Sequence, residues 1–536
     1  LPTNSESRIV WGIVLLLLLR FISAAVIDLS PEEAYYWNYS IHPNLSYLDH
    51  PPMVAWVIRV GTLWLGKTEI GVRIGGLLLT IVSTWLLNVL GCLWFGRRAG
   101  LWAALLFQVI PLYFVYGVII TPDIPLFCFW LLTLYLISIA VLKNQRWTWY
   151  AAGVALGLAM LSKYTALFLV PSALFFLIAD RGHRKWLLRK EPYLGFLLSI
   201  VVFSPVIAWN YQHQWASFAF QFGARLLDVE NGHARHSFMQ FLGIQLGGIF
   251  PTLLAGLLLS LTVALYRITK GGGSRWRFCL FFSFPILGFF TAYSIGSPVK
   301  ANWPLPGYLP LLLAAYPSYR YLRFKSTQTL AVAYRKTLSF SLYLLPSLYL
   351  LALFHMVLTI PYVPVNKWIT GWKELGKIVE GEKVAMETET HKKAFVLGMD
   401  RNYVVSEMAF YTENSHDVIP RTLLGKKALA FEFWESETLP AGANVVAVGR
   451  LFPKLSLLRS HFRNVDQEVT VVQITRHGKI VRRFYLVRCY DYLGKQATID
   501  TQRNHVRCEG QCVISPLATL KARQIFQTFI IDNVDM

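Results

Sequence analysis

The chain has 536 residues, 55% of them hydrophobic and only 15% charged, with a mean hydropathy of +0.44. Soluble domains carry about 25% charged residues, so this composition excludes an ordinary water-soluble protein. Fifty-one Lys and Arg against thirty Asp and Glu leave a net charge of +21. The excess lies in short loops between apolar segments rather than on an aromatic-interleaved basic face, so no nucleic-acid partner is expected.

Apolar residues fill positions 9–360 almost continuously. Segments near 9–27, 71–95, 100–120, 124–142, 148–162, 164–180, 193–210, 240–266, 278–296, 304–320 and 338–360 are candidate spans. That makes about eleven crossings of a bilayer core roughly 30 Å thick. No small-residue cleavage site follows the first, which reads as an anchor. Basic clusters at Arg97-Arg98, Lys143 with Arg146, Arg181 to Lys190, Arg267 to Arg277 and Arg320 to Lys336 alternate with poorly basic loops. The basic set is cytoplasmic by the positive-inside rule. The loops 28–70, 121–123, the turn near 163, 211–239 and 297–303, and the tail from about 361, then lie on the other side.

The tail alternates β-like and helical runs. Ala394 to Gly398 and Asn444 to Val448 read as buried strands, Tyr403 to Tyr411 as a helix, and Val469 to Ile474 and Arg483 to Arg488 as further strands. The expected fold class is a polytopic α-helical membrane protein, residues 1–360, with a small C-terminal α/β domain over 361–494. Periodicity is lost over 495–536. Cys92, Cys128 and Cys279 are small core hydrophobes, while Cys489, Cys508 and Cys512 offer one disulfide if the tail faces an oxidising compartment. No Gly-rich phosphate loop or nucleotide-binding fingerprint is present, so a nucleotide-fed enzyme is not expected.

Polar residues gather on one membrane face. Ser30-Pro-Glu-Glu-Ala-Tyr-Tyr-Trp37 opens a helix, with Ser30 as N-cap, Pro31 at the first helical position and Glu33 closing a capping box. Capping leaves Glu32 unexplained, on another face beside Tyr35 and Tyr36, and an acidic residue at the mouth of a membrane cavity is a functional candidate. Asp49-His50 precedes Pro51-Pro52; this pair can bind phosphate, hold a divalent metal ion or cap a helix. Asp123, in Thr121-Pro-Asp-Ile-Pro125, fits an N-cap or a site carboxylate at the same depth. Lys163 lies between two apolar runs, where it either snorkels or meets a lipid phosphate. Lys300, in Ser297-Pro-Val-Lys-Ala-Asn-Trp-Pro304, and Arg225, after an aromatic run, share that face. The loop histidines His213, His233 and His236 lack metal-ligand spacing.

The motifs Ser-Pro-Glu-Glu-Ala-Tyr-Tyr-Trp, Asp-His-Pro-Pro-Met, Thr-Pro-Asp and Lys-Ala-Asn-Trp-Pro resemble those of the bacterial polyprenyl-phosphate-sugar glycosyltransferases of the GT-C superfamily. The likeness covers roughly residues 9–360. It is nearest to the branch related to protein O-mannosyltransferases and to the aminoarabinose and galacturonic acid transferases of lipid A. The resemblance implies an inner-membrane enzyme with its active site and C-terminal domain in the periplasm. It implies a donor sugar on undecaprenyl phosphate, a glycolipid or other cell-envelope acceptor, and inversion at the anomeric carbon. Glu32 is then the base or acceptor-orienting group, Asp123 the second acidic residue, and Asp49-His50 stands where the aminoarabinose branch has Glu-Lys. The candidate catalytic residues are Glu32, Asp123 and Asp49. The candidate substrate-binding residues are His50, Tyr35, Lys163, Arg225, Lys300 and Asn302, and only Asp49 and His50 offer ligands for a metal. Protein O-glycosylation is the nearer alternative activity. A lipid-linked-sugar flippase is the more distant one, because neither inverted repeats nor pairs of broken helices are evident.

Overall fold

The computed structural model describes residues 4–224, 234–325, 328–358, 368–434 and 439–494. Among the described residues, seven helices are long and apolar enough to cross a membrane: Asn4–Val26, Glu69–Phe95, Asp123–Lys143, Lys190–Gln212, Pro251–Thr269, Ser274–Tyr293 and Val332–Met356. Shorter apolar helices such as Met53–Leu65 and Thr148–Ser162 pack among them. Their outward faces carry large apolar side chains such as Trp11, Leu15, Trp85 and Leu197, all exposed, as lipid-facing surfaces require.

Helices are named here in chain order: α1 Asn4–Val26, α2 Pro31–Ile41, α3 Met53–Leu65, α4 Glu69–Phe95, α5 Arg97–Val109, α6 Pro111–Tyr116, α7 Asp123–Lys143 and α8 Thr148–Ser162. The expected loop 28–70 contains two of them, α2 and α3, the latter opening straight after Pro51-Pro52. The expected span 100–120 is broken into α5 and α6, because Pro111 has no N–H to offer the Phe107 carbonyl. Arg20, fully buried on α1, donates from Nη2 to the carbonyls of Phe107 at 3.4 Å and Gln108 at 3.3 Å, and Tyr349 donates to Val109 O at 2.6 Å. Side chains thus replace the partners that the break removes. The expected span 240–266 is likewise two helices, Ala234–Ile249 and Pro251–Thr269. Phe250 between them has φ +77°, a left-handed turn that Pro251 follows as the first helical residue.

Elsewhere small residues let backbones touch. A Cβ on Gly153 of α8 would lie 2.0 Å from the Gly195 carbonyl oxygen, and one on Gly195 would lie 2.4 Å from Trp149 O. That close approach holds α8 against the helix Lys190–Gln212.

The basic turns meet one another at one end of the bundle. Glu6 lies beside Arg97 and Arg98, Arg146 beside Glu191, and Arg277 beside Asp180. The acidic loop motifs meet at the other end, where the C-terminal domain docks. Leu29 N–H donates to Tyr411 Oη at 2.8 Å, Lys67 donates to Thr412 O at 2.7 Å, and Lys373 pairs with Glu69 at 3.2 Å.

The C-terminal domain is built on one sheet of order β2-β1-β3-β6-β4, with β5 also pairing β6. The strands are β1 Ala394–Gly398, β2 Val418–Pro420, β3 Asn444–Gly449, β4 Phe462–Val465, β5 Thr470–Arg476 and β6 Lys479–Tyr492. β1 pairs in parallel with β2 and β3, and β6 runs antiparallel to β3, β4 and β5. β1 and β3 are buried at every position, as continuous apolar runs predict for parallel strands covered on both faces. The helix Tyr403–Tyr411 forms where its periodicity places it. Cys489 is a buried thiol on β6; Cys508, Cys512 and the rest of 495–536 lie outside the described residues.

Candidate active site

The start of α2 is fixed by the expected capping box. Ser30 Oγ accepts from Glu33 N–H at 3.4 Å, and Glu33 Oε2 accepts from Ser30 N–H at 3.0 Å. Glu33 does more than cap. Its two oxygens accept from Arg73 Nε and Nη2, each at 2.7 Å, and Oε1 also accepts from Ile120 N–H at 3.1 Å. Arg73 in turn donates to the carbonyls of Ala24, Ile27 and Asp28. One buried ion pair therefore ties together α1, α2, α4 and the turn before α7. Arg73 escaped the sequence reading, although an arginine inside an apolar span is itself a signal.

With Glu33 spent inward, Glu32 turns to a polar cavity of about 970 Å³. It is half-buried, and its carboxylate has neither a hydrogen-bond nor an ion-pair partner among the described residues. Asp49 and His50 line the same cavity. Asp49 Oδ1 accepts from Tyr35 Oη at 3.1 Å and from Tyr39 Oη, two hydroxyls one helical turn apart on α2. Burial pushes both tyrosine hydroxyls well above their usual range, with the Asp49 charge adding to it, so they remain donors. Tyr35 Oη also accepts from Ala430 N–H at 3.1 Å, which links Asp49 to the C-terminal domain. Gln221 donates to the Asp49 carbonyl.

Asp123 does not cap α7: Pro122 holds that position and Asp123 is the first helical residue. Its carboxylate is buried, accepting from Lys163 Nζ at 2.7 Å and from Asn302 Nδ2 at 2.7 Å. Three expected site residues, forty and nearly two hundred positions apart, are thus in direct contact. Lys163 lines a second, mainly apolar cavity of about 520 Å³ together with Phe168, Phe222 and Phe289. Asp123 is in the described lining of neither cavity. His50 and Trp303 line both, so the polar cavity and the apolar groove meet at these two side chains.

Lys300 lines the polar cavity and is exposed. Arg225 and His233 lie outside the described residues, as does the His236 side chain. His213 stacks on Trp209 at 4.1 Å and bonds its carbonyl, away from both cavities. Among the described residues no three His, Cys, Asp or Glu side chains come together to hold a metal ion. Asp49 and His50 offer two ligands at most, and Asp49 already carries two hydroxyls. The sequence reading also missed Arg401, Tyr403 and Arg450, which line the polar cavity from the C-terminal domain. Nothing in their local pattern marks them, since docking of a separate domain brings them in.

Comparison with known proteins agrees with this architecture. Residues 49–209 match the family described as dolichyl-phosphate-mannose-protein mannosyltransferase. The chain is 26% identical over 290 residues to the lipid A galacturonosyltransferase RgtD of Rhizobium johnstonii, a match spanning 53% of this chain and 59% of that protein. It superposes on ArnT from Cupriavidus metallidurans in the apo state with a TM-score of 0.59 at 15% identity, covering 91% of this chain and 98% of ArnT. With ArnT bound to undecaprenyl phosphate the TM-score is 0.60, at 15% identity and with 90% and 98% covered. The chain therefore shares the fold of ArnT, and the resemblance carried by its loop motifs is borne out.

Proposed function

We propose that this protein is an inverting glycosyltransferase that moves a sugar from a polyprenyl phosphate to a cell-envelope glycolipid of the lipid A type. In this reading it works at the periplasmic face of a bacterial inner membrane. The observation that carries the proposal is the junction of an apolar groove with a polar cavity at His50 and Trp303, with Lys163 on the groove side and Glu32 on the polar side. A polyprenyl phosphate has this division: a long apolar chain, one phosphate and a polar sugar. The similarity to RgtD and the fold shared with an undecaprenyl-phosphate-bound ArnT support the same choice.

The prenyl chain occupies the groove, and its phosphate lies at His50 and Lys163. An acceptor hydroxyl attacks the anomeric carbon from the side opposite the phosphate. The carbon–oxygen bond to the phosphate breaks, its electron pair stays on the phosphate oxygen, and the acceptor proton passes to Glu32. Negative charge grows on the leaving phosphate, where a fixed ammonium stabilises it most. Asp123 and Asn302 act through Lys163 as positioning residues, and Asp49, held by Tyr35 and Tyr39, positions His50. No step is assigned to a metal ion.

The family description names a protein acceptor, which keeps protein O-glycosylation as the second reading. Purified protein in nanodiscs, given undecaprenyl-phosphate-linked sugars and either lipid A or unfolded periplasmic protein, tests both by mass spectrometry. A sugar increment on lipid A supports the proposal; an increment on polypeptide alone replaces it with the second reading. No increment on either, with undecaprenyl phosphate bound, contradicts both.

A further inference from the structure

The polar cavity has a cationic wall that the reaction above does not use. Among the described residues three cations line it: Lys300 from the loop 297–303, and Arg401 and Arg450 from the C-terminal domain. The two arginines come together for a topological reason. β1 and β3 are parallel neighbours, with Gly398 opposite Val448, so the turns leaving their carboxyl ends emerge side by side. Met399 N–H donates to Val448 O at 2.9 Å and holds those turns together. The carboxyl ends of parallel strands are where open α/β sheets bind ligands.

Arg450 is set in place: its Nε lies 2.9 Å from Asp400 Oδ2, and its guanidinium sits over Tyr403 at 5.0 Å and over Trp368 at 5.8 Å. Asp400 offsets that one charge. Neither Arg401 nor Lys300 has an ion-pair partner among the described residues. Of the carboxylates in the lining, Asp49 is taken by two tyrosine hydroxyls, and Glu32 carries the proton transfer. Arg401 and Lys300 therefore keep donors that no carboxylate among the described residues occupies, and such donors form charge-assisted hydrogen bonds with an anion that enters the cavity. The lipid phosphate is accounted for in the groove, by Lys163 and His50.

Resting on the transferase reading above, we propose that Arg401, Arg450 and Lys300 bind a second anionic group, a carboxylate or phosphate on the polar part of a substrate. It is carried either by the transferred sugar or by the acceptor headgroup. The C-terminal domain is then a substrate-selecting wall of the active site, with Arg401 and Arg450 as its specificity residues.

The test uses full-length protein in nanodiscs and two pairs of soluble probes. Methyl glucuronoside against methyl glucoside reports a sugar carboxylate, and N-acetylglucosamine 1-phosphate against N-acetylglucosamine reports an acceptor phosphate. Dissociation constants come from saturation-transfer NMR, and undecaprenyl phosphate binding is measured on the same samples. At least one charged probe is expected to bind the wild type on the order of tenfold tighter than its neutral partner. Preference for the uronoside places the anion on the sugar, and preference for the sugar phosphate places it on the acceptor. R401Q and R450Q should each abolish the preference and R401K keep it, with undecaprenyl phosphate binding unchanged. Arg401 is exposed, so R401Q decides the matter even if R450Q fails to fold. Equal affinity for charged and neutral probes, or a preference that survives R401Q, overturns the proposal. If the wild type does not bind undecaprenyl phosphate, the transferase reading fails by itself, while the probe pairs still decide whether the wall binds an anion.

Discussion

Glu33 and Arg73, forty positions apart in the chain, form a two-pronged ion pair with both contacts at 2.7 Å and both side chains almost wholly buried. The pair fixes the α2 start, and through it the direction in which Glu32 projects. Removing one partner leaves a buried charge without compensation, which costs about 3–5 kcal/mol. Arg73→Ala should therefore lower the melting temperature sharply and reduce yield in detergent. The double variant Glu33→Gln, Arg73→Met should recover most of that stability by thermal melt, since no bare charge remains.

A second pair, Lys163 with Asp123, would hold the donor phosphate in the proposed reaction. Lys163→Ala is expected to lower kcat/KM by about 10²–10³-fold, the usual loss on removing one group that stabilises a developing oxyanion. Asp123→Asn should cost less. Because both act through one ammonium, the double variant should be little worse than Lys163→Ala alone. Steady-state kinetics on the four proteins checks this; simple additivity would show that Asp123 acts independently of Lys163.

Glu407 gives a pH signature. It is fully buried on the helix Tyr403–Tyr411, and neither carboxylate oxygen has a hydrogen-bond partner among the described residues. Burial pushes its carboxyl well above the usual range, Glu33 and Asp28 push it the same way, and Arg482 and Arg73 oppose them. The folded state thus keeps a proton that the unfolded chain releases above the ordinary carboxylate pKa of about 4.3. This group's contribution to stability falls as pH rises from that point towards the folded value. Glu407→Gln should abolish that fall. Melting temperatures between about pH 4.5 and 8 should drop less steeply for the variant than for the wild type.

The Gly153 contact predicts a packing defect. A Cβ there would meet the Gly195 carbonyl at 2.0 Å, and backbone cannot rotate aside as a side-chain end can. Gly153→Ala should force α8 from its neighbour at a cost of about 1–3 kcal/mol, read as a lower melting temperature.

Local rules made part of this legible. The Ser30 capping box, the buried strands β1 and β3 and the helix Tyr403–Tyr411 follow from residues within a few positions of one another. The one-sided gathering of Glu32, Asp49, Lys163 and Lys300 followed from alternating loop charge. What failed to show was set by distance. Glu33 reads as a cap until Arg73 packs against it, and Asp123 reads as a cap or a site carboxylate until Lys163 and Asn302 close on it. The break at Phe250 hides in an unbroken apolar run, where hydropathy sees length but not the turn. Arg401 and Arg450 belong to a domain whose docking no local pattern encodes.

The most direct measurement is the mass-spectrometric profile of lipid A and core glycolipids from cells carrying wild-type protein or Glu32→Gln at matched levels. A sugar increment is expected with the wild type that Glu32→Gln reduces by about 10²–10⁴-fold, with undecaprenyl phosphate binding by the purified variant retained. An unchanged glycolipid increment with Glu32→Gln would contradict the assignment of Glu32 and with it the proposed chemistry.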